Sequence, residues 1–497
     1  MKLGRNLLAG LANSIWSALV GLAVVPFYLK YLGIEAYGLI GFYVTTQALL
    51  QLLDMGMAPT INREVARSSA SGNLQESGKL LHTLAMVYWA MAVAIALMIA
   101  AVAPWIAQYW IQSRQLSAQT VSHAVVLMGL VVACRWPIGL YQGALVGAER
   151  LTVLSGINIV MTTVGNVGAV AVLALVSPTI EAFFVWQACM GLVYAVAIRG
   201  AAWRVIGKVK KISFDIDKLK SVWRFTVDMS GIGLTALVIT QLDKVILSKT
   251  LGLEEFGHYM LAMVVVTGLH VFITPLFNVI YPRFSALVVN GEIGQLINLY
   301  RLGTRMLATV LFPIAMVLAI FAEDLMLVWT GNPAIASSVA PIMVLMAFGS
   351  AIHGTMYFPY ALQLAFGMPR LALTINTILM TLMVPLIIGF SLKYGALGGA
   401  MAWLVLHVLY LLLGTWMTHR RLLKGVGVRW LFHDVGVPLV LSVLAGLTEY
   451  YLVNGMGYSF PVKLIFLAGL CLMVVFASIF TLSKKSRTTF LSIFGKT

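Results

Sequence analysis

The sequence predicts an all-α, polytopic membrane protein of about fourteen transmembrane helices. Its 497 residues are 61% apolar and only 10% charged, with a mean hydropathy of +0.95, too few charged groups to coat a soluble surface of that size. Apolar windows of about 20 residues, each long enough to cross roughly 30 Å of hydrocarbon, recur along the whole chain. Lipid offers backbone N–H and C=O groups no partners, and the alternating pattern of barrel strands is absent, so each crossing segment has to be a helix.

The length criterion places helices at roughly 6–29, 37–58, 80–103, 121–146, 152–176, 181–203, 225–248, 257–281, 303–322, 337–360, 370–392, 396–418, 435–453 and 461–482. The first follows a basic start, Met1 to Arg5, but its apolar run is longer than a secretion signal's and reads as an uncleaved helix. With the N-terminus in the cytoplasm, Arg and Lys favour the inward segments over the outward ones by about five to one, which predicts that both termini are cytoplasmic. That distribution accounts for the net charge of +16 without nucleic acid. The most basic stretch, Arg199 to Arg224, includes the mixed run Phe214–Lys220 and reads as a linker lying on the membrane face near anionic lipid headgroups.

That linker separates two similar halves. At an offset of about 219 residues, Lys30, Leu32, Gly33, Glu35 and Gly38 match Lys249, Leu251, Gly252, Glu254 and Gly257, while Trp110 matches Trp329 and Tyr141 matches Tyr360. Each repeat holds an even number of helices, so both enter the membrane in the same sense, about an axis along the membrane normal. The expected organisation is a six-helix lobe over 1–203, a basic linker over 204–224, a second six-helix lobe over 225–424, and two accessory helices with a basic tail over 425–497.

Ionisable residues inside the apolar windows are the candidate functional groups, because each is costly to insert. Arg135 lies near the middle of the fourth helix, with Gln142 on or near its face and Gly139, Gly143 and Gly147 forming a ridge for close helix approach. It reads either as a cation facing an aqueous cavity or as half of a buried pair with Asp54, Asp228 or Asp243. Asp243 and Lys244 are adjacent in the seventh helix and about 100° apart around it. Lys244 reads as a second substrate cation and Asp243 as a proton or sodium site, or the two as structural charges. His270, in a polar stripe with Thr267, Thr274 and Asn278, is either a titrating group or a helix–helix hydrogen bond. Asn13 and Ser17 add a milder polar face in the first helix, and most such faces read as interhelical hydrogen bonds. The repeat partners of Arg135, Asp243 and Lys244 are Gly354, Val24 and Val25, so fold symmetry does not demand these charges.

Cys134, Cys189 and Cys471 share no metal-ligand or disulfide spacing. No Gly-rich nucleotide loop and no catalytic triad occurs, and the loops are too short for a soluble catalytic domain; no cofactor, metal or enzymatic activity is expected.

The segments Tyr31 to Gly38, Asp54 with Gly56, Arg63, Gln241 to Lys249, Leu251 to Tyr259, Trp329 with Gly331, and Gly367 to Leu371 carry a resemblance. With them, the chain resembles the polysaccharide-flippase branch of the multidrug, oligosaccharidyl-lipid and polysaccharide exporter (MOP) superfamily. The resemblance implies a cationic cavity and alternating access that turns a polyprenyl-pyrophosphate-linked oligosaccharide across a bacterial inner membrane. Coupling to protons or sodium and association with polysaccharide polymerase machinery follow from the same likeness. Arg135, Lys244, Gln142, His270 and Asn13 are then the substrate-binding candidates, and Asp243 the coupling-ion candidate. A multidrug antiporter of the same superfamily and a flippase for a lipid-linked peptidoglycan precursor are the alternatives.

Overall fold

The structure, a computed structural model, describes residues 2–54, 56–71, 75–207, 240–454 and 469. Segment 214–220, Asp228, Cys471, the start of the expected seventh helix and nearly all of 461–482 lie outside these residues. No strand occurs among the described residues. Ten segments are long and apolar enough to cross a membrane. Two of them bend back at a glycine in a backbone conformation that a side chain would strain: Gly33 (φ 80°) in α1 (Lys2–Leu50) and Gly395 (φ 60°) in the 53-residue helix Pro369–Arg421. Counted as pairs, these give twelve crossing helices among the described residues.

The chain divides into two compact units, 1–257 and 258–497. In the first, α1 is followed by α2 (Met57–Ala70), α3 (Gln75–Trp105), α4 (Ala118–Arg135), α5 (Ile138–Gly147), α6 (Leu151–Leu175), α7 (Ile180–Ile206) and α8 (240–250). Helix α2 lies where the length criterion predicts none, since its 14 residues cannot span and carry Arg63, Glu64 and Arg67. The glycine ridge of α5 lets it approach: a Cβ on Gly143 would sit 2.6 Å from the Ala58 carbonyl oxygen, and one on Gly147 would collide with that of Asn62. Between α2, α3, α5 and α7 the core is dry, with Ile61, Leu84, Leu140, Leu145 and Ile198 fully buried. Such packing is dispersion between close-fitting surfaces, since lipid tails are as apolar as leucine.

The repeat motif closes this unit. Glu35, 2% exposed, accepts hydrogen bonds from Ser113 Oγ (2.8 Å) and from the backbone N–H groups of Arg114, Gln115 and Leu116 (2.9, 2.9 and 3.2 Å), fixing the turn before α4. The second copy of the motif is strapped to the segment before that turn: Leu253 N donates to Gln112 O (2.7 Å) and Trp110 Nε1 to Ser248 Oγ (3.1 Å). The two copies also touch each other. A Cβ on Gly257 would lie 2.6 Å from the Ile34 carbonyl oxygen, and one on Gly38 would strike the Leu253 carbonyl. Gly38 and Gly257 correspond in the repeat, as do Ile34 and Leu253, so the contact reads the same from either side, as a two-fold interface does.

Helix α9 (Leu253–Thr267) begins in the first unit and runs into the second, where α10 (His270–Val289), α11 (Ile293–Ile320), α12 (Ala322–Thr330), α13 (Pro333–Thr355), α14 (Tyr357–Ala365), α15 (Pro369–Arg421) and α16 (Val437–Asn454) follow. The turn before α16 is tied to α11. Asp434, buried, accepts from Arg301 Nε (2.6 Å) and Nη2 (3.1 Å), and Trp430 stacks on Tyr300 at 5.8 Å while donating to Thr304 Oγ1 (2.9 Å).

Candidate functional site: a polar cavity in the first unit

The first unit holds a cavity of about 680 Å³ lined by α1, α2, α3, α4, α5, α6, α7 and the turn joining α1 to α2. Its wall mixes apolar side chains with neutral polar ones. Tyr43 and Gln47 lie one turn apart on α1, Gln51 and Asp54 follow in the turn after it, and Thr162, Asn166, Gln187 and Tyr194 face them. Arg135 and Asp54 are the only charged side chains among the described lining residues.

Arg135 is placed by a break in its helix. It ends α4, Pro137 precedes α5, and the two helices form one membrane span, so the cation stays in the middle of an apolar crossing. Gly191 on α7 makes room for its stem: a Cβ there would lie 2.9 Å from Arg135 Cγ. One turn away on the same helix, Gln187 Oε1 accepts from Arg135 Nη2 at 2.5 Å. No carboxylate among the described residues forms an ion pair with Arg135. Asp54 accepts from the Tyr88 hydroxyl and from Ala58 N (3.4 Å), and Asp243 pairs with Lys244, so neither supplies the structural partner that the sequence left open.

Two buried donors on this wall have no hydrogen-bond partner: Arg135 Nε and Trp136 Nε1. Tyr43 is 5% exposed, and its hydroxyl lies within hydrogen-bonding reach of the Arg135 guanidinium. Buried unpaired donors are rare and costly, and two on one wall mark a place where a ligand rich in acceptors would complete the bonding.

The other candidates fall in different places. Gln142 lines the cavity and donates to the Tyr194 hydroxyl at 2.7 Å, which in turn donates to Asn158 Oδ1. Asn13, on α1, is not among the lining residues, and its Oδ1 is unpaired. Lys244 and Asp243 lie on α8, both buried, 3.2 Å apart, with Lys244 Nζ also donating to Thr240 O (2.7 Å). His270 begins α10 in the second unit, edge-on to Tyr357 with ring centroids 6.3 Å apart. The structure thus brings Arg135 and Gln142 to one cavity and leaves the other four outside its lining. Reading the sequence did not single out Tyr43, Gln47, Gln51, Trp136 or Gln187. The 43–47–51 spacing on an otherwise apolar helix was the available signal for the first three.

Comparison with known proteins defines the class first. The fold is similar to that of lipid II flippase MurJ in its inward closed conformation, with a TM-score of 0.65 and 14% identity over 95% of this chain and 98% of that one. It is also similar to an inward-facing multidrug resistance MATE family transporter of the MOP superfamily, with a TM-score of 0.58 and 14% identity over 84% and 95% of the two chains. The architecture is therefore the MOP fold of multi-span membrane proteins. The family model for polysaccharide biosynthesis proteins matches residues 30–338, more than half of the chain, and the protein belongs to that family. A Shigella flexneri protein named as a candidate O-antigen transporter is 20% identical over 419 residues, 82% of this chain and 97% of that protein.

Proposed function

We propose that the protein is a flippase that turns a polyprenyl-pyrophosphate-linked oligosaccharide, an O-antigen or similar surface-polysaccharide unit, from the cytoplasmic to the outer leaflet of a bacterial inner membrane. The observation that carries this reading is a guanidinium held in the middle of a spanning segment, on the wall of a cavity, with a neutral glutamine and, among the described residues, no carboxylate as its partner. A cation matched there by an amide leaves its charge for an anionic cargo. The MOP fold, the family and the name of the Shigella relative support lipid-linked sugar as that cargo.

Transport is by alternating access, with polymerase machinery receiving the flipped unit and anionic lipids holding the basic linker. Lys244 and His270 serve as further cargo contacts in this reading, with Asn13 a polar contact on the first helix. Asp243 is the coupling site: a proton or sodium ion arriving there competes with the Lys244 ammonium for the same carboxylate.

Replacement Arg135→Ala, expressed in cells that depend on this protein, is expected to abolish surface polysaccharide while the protein remains in the membrane. Normal polymer from that variant would remove Arg135 from the mechanism. Flux in liposomes that is indifferent to both proton and sodium gradients would reject ion coupling.

A further inference from the structure

We propose that the part of the cavity lined by Gln47, Gln51 and Gln142, with Asp54 beside it, is a glycan subsite that accepts an uncharged sugar. The oxyanion attached to that sugar is held by Arg135, Tyr43 and Trp136. This rests on the flippase reading above and narrows the cargo to a class.

The argument begins with what each part of the wall can bond. Arg135 Nε and Trp136 Nε1 are unpaired donors beside the Tyr43 hydroxyl, and indole and guanidinium N–H groups have no acceptor capacity. They suit a group that offers only acceptors, such as a phosphate or a carboxylate. Along α1 the chemistry then changes. Tyr43 and Gln47 lie one turn apart on α1, and Gln51 and Asp54 continue in the 3-10 turn that follows it, leading from that donor set to the carboxylate of Asp54. Between these ends the wall presents amides, which both donate and accept, as sugar hydroxyls do. The rings of Trp136 and Tyr194 supply flat apolar surface for the C–H faces of a pyranose. The volume suits a ligand of a few rings.

Charge decides which sugar. Among the described residues the only lining cation is Arg135, and a phosphate group satisfies it. A uronic or other acidic sugar at the amide wall would bring a second negative charge toward Asp54 with no second cation among the described lining residues to offset it. A neutral sugar meets no such penalty, and its hydroxyls can bond to Asp54 as an acceptor.

The test uses the full-length protein in nanodiscs at pH 7.5, titrated calorimetrically with three soluble probes: inorganic pyrophosphate, a neutral disaccharide diphosphate, and the same disaccharide diphosphate with a terminal uronic acid. The neutral probe is expected to bind at least tenfold more tightly than pyrophosphate and at least tenfold more tightly than the acidic probe. Asp54→Asn should recover the acidic probe without changing pyrophosphate binding, and Gln142→Ala should remove the sugar's gain alone. Equal binding of the two sugar probes by the unaltered protein would overturn the subsite, as would an Asp54→Asn variant that still discriminates. Pyrophosphate binding that does not depend on Arg135 would instead overturn the flippase reading. Arg135-dependent pyrophosphate binding with no preference among sugars would overturn the subsite alone.

Discussion

Replacing Gly257 by alanine tests the self-matching contact between the two repeat motifs. The new methyl group would lie 2.6 Å from the Ile34 carbonyl oxygen and 3.3 Å from Gly38 N, both backbone atoms that cannot swing aside. Alanine is intrinsically better than glycine inside a helix by about 1 kcal/mol. Overpacking a close contact costs about 1–3 kcal/mol, and a rigid backbone neighbour puts this site at the upper end. The expected net destabilisation is about 1–2 kcal/mol, a fall of a few degrees in the unfolding midpoint. Gly38→Ala, which meets the Leu253 carbonyl, should cost about as much. Gly156→Ala supplies the control, because nothing lies within 4 Å of its Cβ position, and it should be neutral or slightly stabilising. The two costs should not add in the double variant, because both methyl groups push the same pair of segments apart. Thermal unfolding of the detergent-solubilised protein, followed by tryptophan fluorescence, measures all four. If Gly257→Ala is as stable as Gly156→Ala, the segments are not in contact and the repeat interface described here is wrong.

Other substitutions probe the unit's turns and charges. Glu35→Ala removes the acceptor of four hydrogen bonds and leaves the N–H groups of 114–116 to find other partners; a loss of about 2–3 kcal/mol is expected from the same unfolding assay. Asp434→Ala leaves Arg301, 23% exposed, without its bidentate partner; the loss should fall below the 3–5 kcal/mol of a fully buried pair, at about 2 kcal/mol, and restoring stability with Arg301→Met in the same chain would confirm the pairing. Burial pushes the Asp54 carboxyl up to about 6, against the opposing pull of the Ala58 and Gly56 N–H groups. Its charge is therefore present above that pH and lost as pH falls through it. Affinity for the acidic disaccharide probe should rise toward that of the neutral probe as pH drops from about 7.5 to about 5, and Asp54→Asn should flatten the profile.

The helical architecture was legible because a length of about 20 apolar residues is a strong constraint, and a bilayer leaves few alternatives to a helix. Helix α2 was not legible by that rule, since a 14-residue segment with Arg63, Glu64 and Arg67 satisfies no spanning criterion. Arg135 stood out for the opposite reason: one cation in an apolar window is conspicuous wherever it points. Its partner did not stand out. Gln187 is 52 positions away, and a single glutamine in an apolar helix carries no period that links it to Arg135. The Asp243–Lys244 contact also runs against helical angles, which set neighbours about 100° apart; the four-carbon lysine stem bends back far enough to bring Nζ to the carboxylate.

The Arg135 guanidinium is matched by an amide, and among the described residues no carboxylate balances it. The fixed cation does no electrical work itself. In the transport direction proposed here, each negative charge that leaves the cytoplasmic side gains about 2.3 kcal/mol from an inside-negative potential of 100 mV. A diphosphate cargo would draw on the membrane voltage directly, and its flux should respond to a valinomycin-imposed potential even when every ion gradient that could couple to it is clamped.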